Sequence, residues 1–266
     1  MKYIKKGCDH NIMGNLYKKH NYINKNLNTI NDLMIREYDM KSAGLNILHN
    51  KGVFNDKEYK MLLSKPKYDR NYLIGKFLQV NKQYNKLLMD TFIDIRKKFF
   101  ELNNIEDEDI LSIKKDAIFT IDKECKNLEF DNYKFEFKNE YTTYLQFNNK
   151  EFYLNKYTKE MDVKGFSEET KEFQKDYYFK LIKDIMLLGN NKDEIFKVLI
   201  EFKYKLLNYE LPMEYYKDID SNSYLLLFNK VSLMGVDSLN QEDTDLKMLF
   251  INNNLSVINM LCNYYL

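Results

Sequence analysis

The chain is 266 residues long, 44% hydrophobic and 30% charged, which is long enough to bury a sizeable core and too apolar for wholesale disorder. Its formal net charge of +1 conceals a gradient: the first hundred residues carry 20 Lys/Arg against 9 Asp/Glu, and the remainder carry 21 against 31. Three widely spaced cysteines (Cys8, Cys125 and Cys262) exclude a disulfide scaffold and follow no metal-ligand spacing, so a reducing cytoplasm is the expected compartment.

Lysine-rich surface releases counterions from phosphate, so the basic first part points to a polyanionic partner. The counts themselves need discounting, because 38 lysines and 32 asparagines suit an A/T-rich coding sequence. Only Arg36, Arg70 and Arg96 are arginines, and their rarity makes them the more informative cations. No apolar run reaches the roughly 18 residues needed to span a bilayer, and Met1–Gly7 leads into polar residues, not into a signal-peptide core. A cytoplasmic protein with no membrane partner is expected.

In chain order, residues 1–31 are polar and weakly periodic and read as an N-terminal arm. Leu33–Met40 has the partial alternation of a strand, and Lys41–His49 has apolar residues at helical spacing up to Gly52. A second helix is expected over Asn55–Ser64, ended by Pro66, and one or two helices over Asp69–Leu102. Ile110–Ile113 and Ala117–Ile121 are β-prone runs around Lys114-Lys115-Asp116, a hairpin with an acidic turn. Leu128–Leu154 continues as an aromatic-rich meander. Helices are expected over Glu168–Leu188, Lys192–Tyr209, Tyr224–Met234 and Asp243–Tyr265. The fold class is therefore α+β, with a small antiparallel sheet, a long helical insertion and a mostly helical C-terminal half. The expected division is an arm over 1–31, an α+β core with its meander over 32–165, and a helical region over 166–266.

Strand–Asp–helix, then a basic helix, then hairpin–Asp is the order that carries chemistry. Two-metal phosphoryl transfer needs carboxylates that hold divalent cations about 3.5–4 Å apart, and strand ends deliver them rigidly. Glu37-Tyr38-Asp39-Met40-Lys41-Ser42-Ala43 resembles motif A of palm-type template-directed polymerases, and Ile110–Ile121 resembles their motif C hairpin. Arg70-Asn71-Tyr72-Leu73-Ile74-Gly75-Lys76 is similar to the motif B helix, with the arginine and lysine six apart instead of four. The resemblance covers roughly residues 33–122 and is closest in character to small phage-encoded polymerase-like proteins.

It implies a palm-like sheet and a nucleotidyltransferase, or a degenerate relative that binds nucleic acid without catalysis. It also implies Mg²⁺ or Mn²⁺ at Asp39 and Asp116, and a nucleoside triphosphate met by Arg70 and Lys76. Glu37 and Asp122 are the nearest further carboxylates in sequence. Bland roles compete with each assignment: Asp39 as a helix cap, Asp116 as a turn residue, and Arg70 and Lys76 as a solvated face. The alternative from another class is a noncatalytic phage accessory or structural protein whose acidic helical half binds a protein partner.

Other patterns are weaker. Asp131 with Glu136-Phe137-Lys138 resembles the acidic-x-lysine element of restriction-type nucleases. His10, His20 and His49 with Cys8 have no zinc spacing. Phe135, Phe137, Tyr141, Tyr144, Phe147, Phe152 and Tyr153 are expected to pack and pair across strands, with base stacking as the alternative. Tyr215-Tyr216 and Tyr264-Tyr265 read as helix packing.

Overall fold

The computed structural model describes residues 15–147, 149–208, 210–216, 258–259 and 261–263. They form an α+β structure with antiparallel strand pairing, divided into two compact units: one drawn from residues 1–25 and 34–140, the other from 26–33 and 141–266.

In the first unit a 3-10 turn (Leu16–Lys18) leads to β1 (Asn21–Ile23) and β2 (Thr29–Met40). Helices α1 (Ala43–Asn50), α2 (Asp56–Leu63), α3 (Lys67–Val80) and α4 (Lys82–Asn103) follow. Next come β3 (Ile110–Lys114), β4 (Ala117–Ile121), β5 (Glu129–Phe130) and β6 (Tyr133–Phe147). The strand order is β1-β3-β4-β2-β6, with β5 pairing the start of β6. The expected neighbourhood of the 33–40 strand and the 110–121 hairpin is present, since β2 runs antiparallel to β4 with Ile35 opposite Ile121 and Asp39 opposite Ala117.

Period-two alternation on β2 sends Tyr38 and Met40 into the core, where they meet the apolar stripe of α4 (Leu88, Phe92, Ile95, Phe99). Phe99 stacks on Phe135 of β6 at 4.1 Å between centroids. A satellite core of Leu45, Leu48, Phe54, Leu62 and Ile74 joins α1, α2 and α3. Helix α2 begins at a capping box in which Asn55 and Glu58 exchange hydrogen bonds. The stretch over 69–102 is two helices. They part at Asn81 (φ −108°, ψ 74°), whose side-chain amide donates to the Phe77 carbonyl at 2.9 Å and so draws on the helix's own backbone acceptors.

The arm expected over 1–31 needs correction within residues 15–31. β1 pairs with β3, Tyr22 opposite Ile113, and β2 already starts at Thr29. A three-residue strand has no periodicity to read, and Asp32 interrupts the early alternation of β2 with φ 64°.

Tyr38 also bonds within this core: its hydroxyl accepts from the Cys125 backbone N–H at 2.8 Å, and burial pushes its pKa up to about 12. Tyr38→Phe leaves that buried N–H unpaired, and urea denaturation should show a loss of about 1–3 kcal/mol.

In the second unit Thr29–Leu33 of β2, Tyr141–Phe147 of β6, β7 (Lys150–Asn155) and β8 (Met161–Lys164) form the sheet in that order. Helices α5 (Glu168–Gln174), α6 (Tyr178–Leu187) and α7 (Lys192–Leu207) follow. The core packs Leu145, Phe152 and Leu154 with Phe179, Ile182, Leu199 and Leu206. The single helix expected over 168–188 is broken between α5 and α6, and β8 was not expected, being only four residues long.

Of the seven aromatics expected to pack, six are buried and Phe137 is 48% exposed. Tyr215 packs its ring edge-on against Tyr178 and Phe202. The helix expected over Tyr224–Met234 and Tyr264-Tyr265 lie outside the described residues, as do Cys8 and His10. So does most of Asp243–Tyr265, although 258–259 and 261–263 are helical.

Candidate functional site

The candidate site belongs to the first unit, where β2 ends against the β3–β4 turn. Backbone pairing fixes the two aspartates there: the Met40 N–H donates to the Asp116 carbonyl at 3.1 Å, and Asp39 sits opposite Ala117. Strand ends on one ladder therefore hold Asp39 and Asp116 as neighbours. Burial raises the Asp116 pKa above the usual carboxylate range and the Asp39 charge raises it further, while Lys67 and Lys115 act the other way.

The Asp39 carboxylate is ion-paired with Lys138 of β6. That pairing raises the lysine's pKa, and the charges of Glu37 and Asp116 add to the effect. A lysine ammonium thus sits in the field of three carboxylates. Glu37 is only 5% exposed and accepts from the Asn139 side chain at 3.0 Å. Asp122 turns away, accepting from the Met34 N–H at 2.9 Å.

A cleft of about 380 Å³ opens beside Asp116 and is lined by Gly44 of α1, Asn71, Ile74 and Gly75 of α3, Met89 and Phe92 of α4, and Lys115. Helix α3, the one similar to motif B, borders this cleft, yet Arg70 and Lys76 are not among its lining residues. Arg70 is half-buried, and Lys76 is exposed with its ammonium 5.6 Å from the Tyr72 ring centroid. Lys67 is the α3 cation whose charge reaches Asp116.

Below the turn lies Arg96 of α4, 1% exposed. It donates to the Tyr17 carbonyl at 2.8 Å and the Lys115 carbonyl at 2.7 Å, and lies 3.2 Å from His20 Nδ1. Burial lowers its pKa to about 10, with Asp116 opposing the shift. Lys115 is in the left-handed region (φ 54°), a conformation that non-glycine residues reach at a cost, and the Arg96 bond helps to hold it there. Sequence reasoning marked Arg96 only by rarity, and it missed Lys138 as a partner of Asp39. A buried arginine on an apolar helix stripe, aligned with Phe92 and Phe99, was the available signal.

The remaining patterns separate. Asp131 pairs with Lys98, Glu136 with Lys41 at 3.2 Å and Lys138 with Asp39, so the nuclease-like element has its members engaged with different partners. His49 bonds Asp56 at 2.8 Å and stacks on Tyr59.

His20 has its pKa lowered by burial and by Arg96 and Lys115, with Asp90 opposing. A histidine whose folded pKa is depressed takes up a proton more readily when unfolded. Its contribution is therefore constant above about pH 6.5 and unfavourable as pH falls below that value. His20→Gln should flatten the decline in melting temperature between pH 7 and pH 5, measured beside the wild type.

A family model described as bacteriophage PBS1 gene 130 protein matches residues 12–266. The chain belongs to that family. It is a phage protein, and the family span includes Asp39, Asp116, Arg96 and Lys138. No curated protein matches the chain. Among the described residues no helix is long and apolar enough to cross a membrane, and no group of three or more His, Cys, Asp or Glu side chains is placed to hold a metal ion.

Mg²⁺ commonly keeps several waters and is held by one or two carboxylates together with substrate phosphates, so a nucleotide-borne cation needs no all-protein cage.

Proposed function

We propose that this phage protein is a palm-type nucleotidyltransferase acting on nucleic acid. The observation that carries the reading is the juxtaposition of Asp39, near the end of β2, with Asp116, in the turn that leads into its partner strand β4, beside a cleft. Asp39 and Asp116 would hold Mg²⁺ or Mn²⁺, which when bound supplies charge stabilisation to a phosphoryl centre. Lys115, which lines the cleft, would meet the triphosphate, with the charge of Lys67 reaching the same corner of the site. Arg96 holds the turn that presents Asp116.

One specific observation favours a second reading, a noncatalytic phage accessory protein: Lys138 already supplies the cation at Asp39. The two readings differ in calorimetry. Titration with Mn²⁺ plus a nucleoside triphosphate should give saturable heat in the wild type and none in Asp39→Asn. Lys138→Met, which removes the competing ammonium, should tighten binding if the aspartates are a cation site. No heat in the wild type or in Lys138→Met favours the accessory role.

A further inference from the structure

Helix α3 has an outer face that neither the core nor the cleft uses. Only Ile74 of its fourteen residues is buried, while Tyr68 is 81% exposed and Tyr72 56%. Tyr68, Tyr72 and Lys76 follow one another at four-residue spacing, which aligns them along one side of the helix. The Lys76 ammonium lies over the Tyr72 ring. The same helix carries Lys67 and Arg70, and α4 opens with Lys82 and Lys86. Asp69 is the sole acidic residue between Ser64 and Met89. None of these four further cations or Lys76 forms a salt bridge among the described residues. Tyr38, Tyr144 and Tyr178 of the core make other use of their rings, with centroids 5.0–6.0 Å from aromatic neighbours. Among the described residues Tyr68 has no ring neighbour of that kind.

We infer that this face of α3 is a binding track for single-stranded nucleic acid, with Tyr68 and Tyr72 stacking on bases and the flanking cations meeting phosphates. Exposed aromatics set among cations free of ion pairs are the combination that a strand with accessible base faces recognises, because every base has a face to stack and every linkage a charge. An acidic peptide would satisfy the cations and leave the tyrosine rings without matched planar partners. A duplex would satisfy the cations too, but its base faces are stacked inward. The inference rests on the nucleic-acid part of the proposed function and gives it a strand form and a surface. It requires neither the metal nor the nucleotide.

The test is fluorescence anisotropy of a labelled oligothymidylate 20-mer with the full chain, in EDTA and without nucleotide, so its result is independent of any transfer assay. The wild type should bind at low salt. Tyr68→Ala and Tyr72→Ala should each weaken binding about tenfold, and the phenylalanine variants should remain within about twofold of the wild type, since stacking needs only the ring. Lys76→Ala should lower the log–log salt slope by about 0.7, the value for one phosphate contact on a single strand.

Because both tyrosines are solvent-exposed, melting temperatures of the variants should match the wild type and exclude unfolding as the cause. Wild-type affinity in the two alanine variants would overturn the proposal. So would equal affinity for a duplex of the same length, and so would no binding by the wild type. If the oligonucleotide binds as expected while nucleotide transfer is absent, the track stands and the catalytic reading falls.

Discussion

Asp116→Asn should raise the protein's melting temperature at pH 7 while removing its capacity for a divalent cation. The two effects have one origin. Burial and the Asp39 charge raise the folded-state pKa of Asp116 above its unfolded value, so ionisation at neutral pH is harder in the native state than in the unfolded chain. That destabilisation is fully present above the folded pKa, shrinks as pH falls through it, and is gone below about pH 3.8. Asparagine keeps the size and hydrogen-bonding capacity of the side chain without the charge, so its gain should be present at pH 7 and vanish in acid. In the proposed site Asp116 is itself a ligand, so cation affinity should fall by more than the ~10–100-fold that loss of an outer-shell partner costs. Thermal melts at pH 7 and pH 3.5, paired with Mn²⁺ calorimetry, read both. A plain turn role for Asp116 predicts tolerance of asparagine with no change in metal binding.

Arg96→Ala should be the most destabilising single change in the first unit. The arginine is 1% exposed and supplies hydrogen bonds to two backbone carbonyls, Tyr17 and Lys115. Its loss leaves both acceptors short of a donor in a buried site and opens a cavity beneath the turn. We expect about 3–5 kcal/mol by urea denaturation. Arg96→Lys retains a charge but cannot bridge two carbonyls and His20 with one fixed fork, so it should recover only part of that. A loss under about 1 kcal/mol in the alanine variant would show that the turn does not depend on this arginine.

The sequence made the core of the site legible where chemistry and periodicity coincide. Asp39 could be placed at a strand end because Leu33–Met40 alternates and the following residues switch to helical spacing. Asp116 could be placed in a turn because short β-branched and aromatic runs flank it. That the two strands pair follows from the scarcity of other partners for buried β-runs, and β2 against β4 has that arrangement.

What sequence did not reveal depends on contacts distant along the chain. Lys138 reads locally as half of an acidic-x-lysine alternation, and only the register of β6 beside β2 brings it to Asp39. Arg96 looks like one more cation on a lysine-rich helix until the fold buries it under the hairpin. Motif likeness points to Arg70 and Lys76, whereas the helix turns Asn71 and Gly75 toward the cleft, since residues one apart on a helix differ by about 100° in direction. β1 escaped because three residues carry no period.

In the proposed role Asp39 and Asp116 form a nucleotidyl-transfer site, and nucleotide incorporation on a primed template with Mg²⁺ or Mn²⁺ tests that role. Wild-type protein should extend the primer, while Asp39→Asn and Asp116→Asn, each folded by thermal melt, should not. Extension by either variant at the wild-type rate would contradict the role of that aspartate, and a folded wild type that incorporates nothing on DNA or RNA templates would contradict the catalytic account as a whole.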